Sequence, residues 1–401
     1  MAERYLNLIG EEWVPAQSDE TFEDRNPARW SELLGSFPRS GPEDVDAAVA
    51  AARAAYRDWR ATPPPRRGEI LLRAGLLLEQ RKEELARTMT QEMGKVLEEA
   101  RGDVQEAIDM AFFAAGLGRR PFGETIPSEL PDKICFTWRE PVGVVGVITP
   151  WNFPVAVPSW KLFPALMAGN TIVFKPAEDT PLCGVRLAEV LLEAGLPAGV
   201  LNLVHGTGPE AGASLVAHPD VNCISFTGST EVGKEIAVEC GRTLKRVGLE
   251  LGGKNAIVVL DDASLELAVD GAVWAAFGTT GQRCTATSRV YVERTVAAEF
   301  EQLLREQLAK LVVGDLADEG GMPAKRRDAG GRIAGAAARG LDRLPHQSVE
   351  ALRLVGLDEA HRSLDQLLAD EEVVLGLGDH VDDRIADAED VEFCVGHVRE
   401  G

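Results

Sequence analysis

Between Val142 and Leu249 the chain alternates short β-branched apolar runs with helix-like segments, an order that few architectures accommodate. Strands are read at Val142 to Ile148, Thr171 to Phe174, Val200 to Val204, Cys223 to Phe226 and Leu244 to Leu249, with helical patterns between most of them. Such alternation predicts an α/β fold: a parallel sheet covered by helices on both faces. Upstream, Pro42 opens a helical pattern through Val45, Val49, Ala52, Tyr56 and Trp59 that Pro63-Pro-Pro65 ends. A longer helical pattern follows through Ile70, Leu77, Leu85 and Met89, and Leu130 to Glu140 reads as strand around Cys135-Phe-Thr-Trp138.

Three positions stand out for chemistry. Cys284 lies in a polar, Gly-punctuated stretch, Gly278-Thr-Thr-Gly-Gln-Arg-Cys284, with no apolar face to pack. The remaining cysteines considered, Cys135, Cys183, Cys223 and Cys240, sit in apolar strand-like or helix-like settings and read as packing residues. A thiol becomes a useful nucleophile as its thiolate, and an acyl group it captures needs water activated by a separate base. Glu250, in Glu250-Leu-Gly-Gly-Lys254, is the candidate base. Taken alone, a cysteine is more often a small hydrophobe and a glutamate more often a solvated surface group. Asn152 lies in Thr149-Pro-Trp-Asn-Phe-Pro154, directly after the strand ending at Ile148. Loops at the carboxyl ends of parallel strands hold ligands in open α/β sheets, and an amide there suits an oxyanion; an Asx turn with aromatic packing is the alternative.

Phosphate-binding signals differ in weight. Gly206-x-Gly208-x-x-x-Gly212 departs by one residue from the dinucleotide fingerprint, and such glycine sets are common. Phe226-Thr-Gly-Ser-Thr-Glu-Val-Gly233 is more informative, because an apolar strand there passes through Gly228 and Ser229 into a helix start, where free N–H groups meet a pyrophosphate. Lys175 and Glu178 follow the strand ending at Phe174. A carboxylate at that edge can accept from a ligand hydroxyl; a surface ion pair is the other reading.

The series Pro150-Trp-Asn-Phe-Pro154, Lys175-Pro-Ala-Glu178, Phe226 to Gly233, Glu250 to Lys254 and Gly281-Gln-Arg-Cys284, in this order, resembles the NAD(P)-dependent aldehyde dehydrogenase superfamily. The resemblance runs from about Tyr5 to about Asp315 and, over Pro127 to Val292, is closest in character to the ketoglutaric and succinate semialdehyde types. It implies a Rossmann-type cofactor domain at 1–121 and 142–252, an oligomerisation β arm at 122–141 and the N-terminal part of an α/β catalytic domain at 253–314. It further implies that Ile148, Trp151, Lys175, Glu178, Gly208, Phe226, Gly228 and Ser229 hold the cofactor, Lys175 and Glu178 at the adenosine ribose; a carboxylate there accepts from a 2′-hydroxyl and repels a 2′-phosphate, so Glu178 favours NAD, with NADP possible. In the implied reaction Cys284 attacks an aldehyde, Asn152 and the Cys284 N–H hold the oxyanion, hydride leaves to the nicotinamide, and Glu250 activates the water that releases the acid. Glu250 separates this outcome from acyl transfer to coenzyme A.

Composition agrees with a soluble enzyme. An apolar fraction of 45% without a run of ~18 apolar residues predicts no membrane span. The net charge of −22 argues against nucleic acid or an anionic membrane as partner. Neither paired cysteines nor paired histidines signal a metal or a disulfide framework. The start, Met1-Ala-Glu-Arg-Tyr-Leu-Asn, lacks the look of a secretory or transit leader, which points to the cytoplasm. A homodimer or homotetramer is expected if the arm and the C-terminal part are intact.

From Asp315 onward the motif series ends. Residues 315–401 hold one aromatic residue, Phe393, one lysine, Lys325, and four histidines, His346, His361, His380 and His397, at separations matching no ligand motif. A helical repeat at Leu352, Leu357, Leu364 and Leu368 is the one regular pattern there. This tail reads as atypical or frame-shifted sequence, poor in the aromatic area that completes a core. Two outcomes are therefore expected to compete: a working aldehyde dehydrogenase, or a truncated or frame-shifted relative that binds NAD without turnover.

Overall fold

The computed structural model describes residues 3–120, 123–314, 332–334, 353–356 and 393–394. In chain order the first elements are β1 (Glu3–Arg4), β2 (Asn7–Ile9), β3 (Glu12–Val14), β4 (Thr21–Arg25), β5 (Leu33–Pro38), α1 (Pro42–Ala61), α2 (Pro64–Gln80), α3 (Lys82–Met93) and α4 (Leu97–Leu117). There follow β6 (Thr125–Ile126), β7 (Cys135–Phe136), β8 (Val144–Ile148), α5 (Ala156–Ala168), β9 (Thr171–Lys175), α6 (Pro181–Glu193) and β10 (Leu201–Leu203). A short turn of helix at Gly208–Gly212 leads into α7 (Ala213–Ala217), β11 (Cys223–Gly228), α8 (Thr230–Arg242) and β12 (Arg246–Leu251). The remaining elements are β13 (Asn255–Val259), α9 (Leu265–Phe277), a tight turn at Gly278–Gly281, β14 (Thr287–Val292), α10 (Arg294–Leu308), β15 (Val312–Gly314), β16 (Arg332–Ala334), β17 (Arg353–Gly356) and β18 (Phe393–Cys394).

The chain divides into two compact units, the first running to Leu251 and the second beginning at Gly252. In the first, seven strands form one sheet in the order β12-β11-β8-β9-β10-β2-β3, with β12 through β10 parallel and β2 and β3 antiparallel. Every residue of β8 and β9 is buried, which is why their sequences read as continuous β-branched runs rather than alternating ones. Successive residues face opposite layers. Val145, Val147, Ile172 and Phe174 pack with α2, α4, α5 and α6, whereas Val144, Ile148 and Val173 pack with Val45, Ala48, Val49 and Ala52 of α1 and Ile236 of α8. Both faces are thus covered by helices. Burying a side chain such as Phe174 contributes roughly 1.5–3 kcal/mol, so these layers carry much of the unit's stability.

Several expected boundaries move. The helical pattern through Ile70 to Met89 is two helices broken at Arg81, and Pro64 opens α2 rather than only closing α1. Pro suits a first helical turn because its missing N–H needs no partner there. The strand expected from Leu244 begins at Arg246, since Leu244 takes φ 54° in the preceding turn and is 92% exposed. The strand expected from Val142 begins at Val144, and that expected over Val200 to Val204 narrows to Leu201–Leu203. Of Leu130 to Glu140, the paired residues are Cys135–Phe136, joined antiparallel to Thr125–Ile126. Cys135 is exposed, against its expected packing role, because a two-stranded ribbon has no second layer to cover it.

The second unit contains the parallel set β13-β14-β17-β18. Val259, Val290 and Val292 pack there with Leu265, Val269 and Ala272 of α9 and Phe300 and Leu304 of α10. The four tail histidines and the leucine repeat at Leu352, Leu357, Leu364 and Leu368 lie outside the described residues.

Candidate active site

A row of paired residues crosses the first unit's sheet near its carboxyl edge. Lys175 of β9 pairs with Ile148 of β8, Ile148 with Phe226 of β11, and Phe226 with Leu249 of β12. Glu250 is the next residue of β12, opposite Thr227, and is exposed. Parallel strands end together, so residues distant in sequence share one edge: this is how the sheet gathers Ile148, Lys175, Phe226 and Glu250.

Past that row, β11 ends at Gly228 and Ser229 caps α8, its Oγ accepting from the Val232 N–H at 3.2 Å. A Cβ on Gly228 would meet the Phe226 ring at 2.4 Å, so the turn requires glycine if that ring is to stay folded beneath it. The N–H groups of the first turn of α8 and its dipole make this an anion-favouring end. On β9's side, buried Lys175 donates from Nζ to Glu178 Oε2 at 2.7 Å, and the Gly208 N–H reaches Glu178 Oε1 at 3.4 Å. Burial acts to raise the Glu178 carboxyl pKa, but the Lys175 ammonium and the backbone N–H bonds outweigh it and hold the group below its ordinary value. Its neighbour Asp179 is pushed up to about 6, by burial first and then by the charge of Glu178.

Asn152 and Trp151 sit, partly buried, in the loop between β8 and α5. The loop is tied at its start by Thr149 N–H to Lys175 O at 3.3 Å and at its end by Val157 N–H to Phe153 O at 3.1 Å. One residue that the sequence did not single out faces the same edge. Lys161 is the single charge in the apolar helix α5, and its Nζ donates to Ser225 Oγ at 3.1 Å and to Phe226 O at 3.2 Å. Burial pushes its pKa down to about 8, with the nearby Glu250 carboxylate acting in the opposite sense. A lone lysine in an otherwise apolar helix is the sequence signal that marks it.

In the second unit, Cys284 follows the turn Gly278–Gly281 and precedes β14, and it is exposed, as a working thiol must be. Asn255 Nδ2 donates to Cys284 O at 3.2 Å, and Ala286 N–H to Arg283 O at 3.0 Å, fixing the backbone on both sides of the sulfur. Thr279 and Thr280 hold φ 52° and 56°, left-handed values that cost a β-branched residue roughly 1–3 kcal/mol each. Arg283, next to the thiol, turns back on the preceding helix and turn: its guanidinium lies 4.3 Å from the ring centroid of Trp274 in α9 and Nε donates to Thr279 Oγ1 at 2.9 Å. Among the described residues, no group of three or more His, Cys, Asp or Glu is placed to hold a metal ion.

Residues 13–338 match the family model described as the aldehyde dehydrogenase family. The chain belongs to the aldehyde dehydrogenase family. The match passes the point near Asp315 where the motif series ends. Among curated relatives, an alpha-ketoglutaric semialdehyde dehydrogenase of Bacillus subtilis is 45% identical over 311 residues, covering 78% of this chain and 64% of the relative. A phenylacetaldehyde dehydrogenase of Pseudomonas fluorescens is 46% identical over 321 residues, again 78% of this chain and 64% of the relative. Among solved structures, an E. coli NADP-dependent enzyme superposes with a TM-score of 0.77 at 41% identity, over 79% of this chain and 66% of that one. This member of the aldehyde dehydrogenase family therefore spans about two thirds of the length of such relatives, 64% for the curated pair. Among its described residues, no helix is long and apolar enough to cross a membrane.

Proposed function

We propose that this chain oxidises an aldehyde to the carboxylic acid with NAD or NADP, through a thioester on Cys284. The observation that carries the reading is the edge of the first sheet: Glu250, Lys175 and the Ser229-capped start of α8 lie along it, in a member of the aldehyde dehydrogenase family. The cofactor fits the residues present. Ser229 and the first N–H groups of α8 would take its pyrophosphate, Lys175 and Glu178 the adenosine ribose, and Ile148, Trp151, Gly208, Phe226 and Gly228 the surface against which it lies. When bound, the nicotinamide supplies the hydride acceptor.

The chain's own groups do the rest. The Cys284 thiolate adds to the aldehyde carbon, while the Asn152 amide and the Cys284 N–H donate to the developing oxyanion. Loss of hydride leaves the thioester. Glu250 takes a proton from water, which attacks the acyl carbon and expels the thiolate. Glu178 already holds its charge against Lys175, which supports NAD as the preferred cofactor.

A semialdehyde with a distal carboxylate is the substrate class we assign, on the relatives' kinds. Arg283 adjoins the nucleophile, with its guanidinium over the Trp274 ring. We also assign the β6–β7 ribbon to contact with a second copy, supported by the exposure of Ile134, Phe136 and Trp138 at 83%, 67% and 69%. The rival expectation, a relative that binds the cofactor without turnover, finds no support among the relatives, whose names are those of dehydrogenases.

Both are decided on purified protein by measuring NAD and NADP binding beside NADH or NADPH production, with semialdehydes and phenylacetaldehyde as substrates, with and without coenzyme A. Turnover to free acid, lost in Cys284→Ser, is expected. Cofactor binding with no turnover selects the rival, and Cys284→Ser activity near wild type sinks the thioester.

A further inference from the structure

We infer that Lys95 and Asp103 are positioning residues that set the Asn152 loop and the start of α5, an inference that rests on the reading of Asn152 as the oxyanion donor. Lys95 follows Gly94, whose left-handed φ of 81° ends α3, and Asp103 lies on the next helix, α4. Both side chains are 0% exposed, and Lys95 Nζ donates to Asp103 Oδ2 at 2.8 Å. The same ammonium sits 3.8 Å from the centroid of the Phe153 ring, the residue directly after Asn152. The other carboxylate oxygen, Asp103 Oδ1, accepts from the Ala156 N–H at 2.7 Å.

That second bond fills a gap. Ala156 is the first residue of α5, and the residue before it, Val155, has no side chain able to cap the helix. Asp103 supplies the cap from another helix, so one ion pair grips the loop at Phe153 and at Ala156. Asn152 precedes the first grip by one residue, and Lys161 rides on the helix that the second begins.

Stability alone is a poor reason to bury two charges, because well-packed apolar residues of the same volume usually serve as well or better. Geometry is a better one. A cation over a ring face and a carboxylate on a helix N–H are both directional, and both fix the segment carrying the amide. An oxyanion donor misplaced by about 1 Å loses about 100-fold in rate, so the pair acts on catalysis through Asn152 without touching substrate.

The test is a double-variant cycle with a structural readout. Asp103→Asn and Lys95→Met are made alone and with Asn152→Ala, and kcat, KM and amide exchange are measured in each. In the Asn152-containing protein, each is expected to lower kcat by about 10- to 100-fold with cofactor KM unchanged, and to speed exchange at Phe153 to Val157. In the Asn152→Ala background the same changes should lower kcat by less than about 3-fold. Losses that simply multiply in the double variants overturn the inference. Lys95→Arg keeps the charge and serves if Lys95→Met does not fold; a smaller kcat loss than in Asp103→Asn supports positioning, and an equal one overturns it. If the wild-type chain turns over no aldehyde, the functional reading fails by itself. Exchange then decides the inference: faster exchange confined to residues 152–157 upholds it, and unchanged exchange there sinks it.

Discussion

Strands β8 and β9 are buried at every position, whereas β12, in the same sheet, is exposed at four of its six. Cys284 is likewise exposed, and the half-buried turn before it holds two threonines in left-handed backbone. The frame of the molecule and its reactive groups are thus built from different material. Central strands are apolar, uniform and tightly packed; Glu250 and Cys284 are themselves exposed, on segments whose shape is set by neighbouring glycines and backbone bonds. A substitution in one class should therefore move activity and in the other stability, and each prediction below is a chance to find the separation violated.

The largest effect is expected at Cys284. Cys284→Ala should lower aldehyde turnover by about 10,000-fold or more while leaving NAD affinity within about 2-fold and the melting temperature unchanged. Calorimetric titration of NAD beside a turnover assay checks it. A fall in NAD affinity matching the loss in rate would mean that the thiol belongs to the frame after all.

Next is Glu250→Gln, for which the loss of a general base predicts a fall in kcat of about 100- to 10,000-fold. The sign of its effect on Lys161 follows from charge. The Glu250 carboxylate raises the Lys161 pKa against the stronger lowering by burial, so its removal should take that pKa further below about 8. The lysine then titrates at lower pH in the variant, an expectation that NMR of the lysine side chain in wild type and variant tests directly. No movement would place the two groups too far apart to share a task.

What the sequence makes legible follows the same division. The parallel sheet is readable because β8 and β9 are continuous β-branched runs, and the start of α8 because Ser229 follows a strand and a glycine. Cys284 is conspicuous through its polar surroundings. Contacts made at a distance are not readable: Lys161 meets Ser225 across 64 positions, and Asp103 caps a helix that begins 53 positions later. The break at Arg81 is hidden because apolar positions continue on both sides of it. Cys135 misleads for the opposite reason, since an alternating apolar ribbon looks like core until its isolation is seen.

A charge lodged in the frame sharpens the comparison. Asp24, on β4, faces Glu92 of α3, and burial, then the Glu92 carboxylate, pushes its pKa up to about 9. Glu92 spends its oxygens on the Leu182 and Cys183 N–H groups at the start of α6, so the shared proton belongs on Asp24. A carboxyl whose folded pKa is raised contributes stability that is fully present below its unfolded pKa and lost as pH climbs toward the folded value. Asp24→Asn mimics the protonated acid at every pH. The variant should melt with wild type near pH 4 and gain about 1–3 kcal/mol over it by pH 8, as chemical denaturation across that range would reveal. An advantage at pH 4 that vanishes at pH 8 would reverse the assignment.

The smallest effect compares two helix starts directly, one in each unit. Ser229 Oγ accepts from Val232 N–H at the start of α8, whereas Ser264, before α9, makes no such bond. Ser229→Ala should therefore cost about 1 kcal/mol of stability, and Ser264→Ala only a few tenths. Ser229→Asp separates capping from cofactor binding. An aspartate keeps the cap and suits the helix dipole, so stability should hold, but its charge stands where the pyrophosphate is to lie and should weaken NAD by about 10-fold or more. Denaturant unfolding and NAD titration on the same preparations read both quantities. Weakened stability with unchanged NAD affinity would leave Ser229 a helix cap and take the pyrophosphate away from this edge of the sheet.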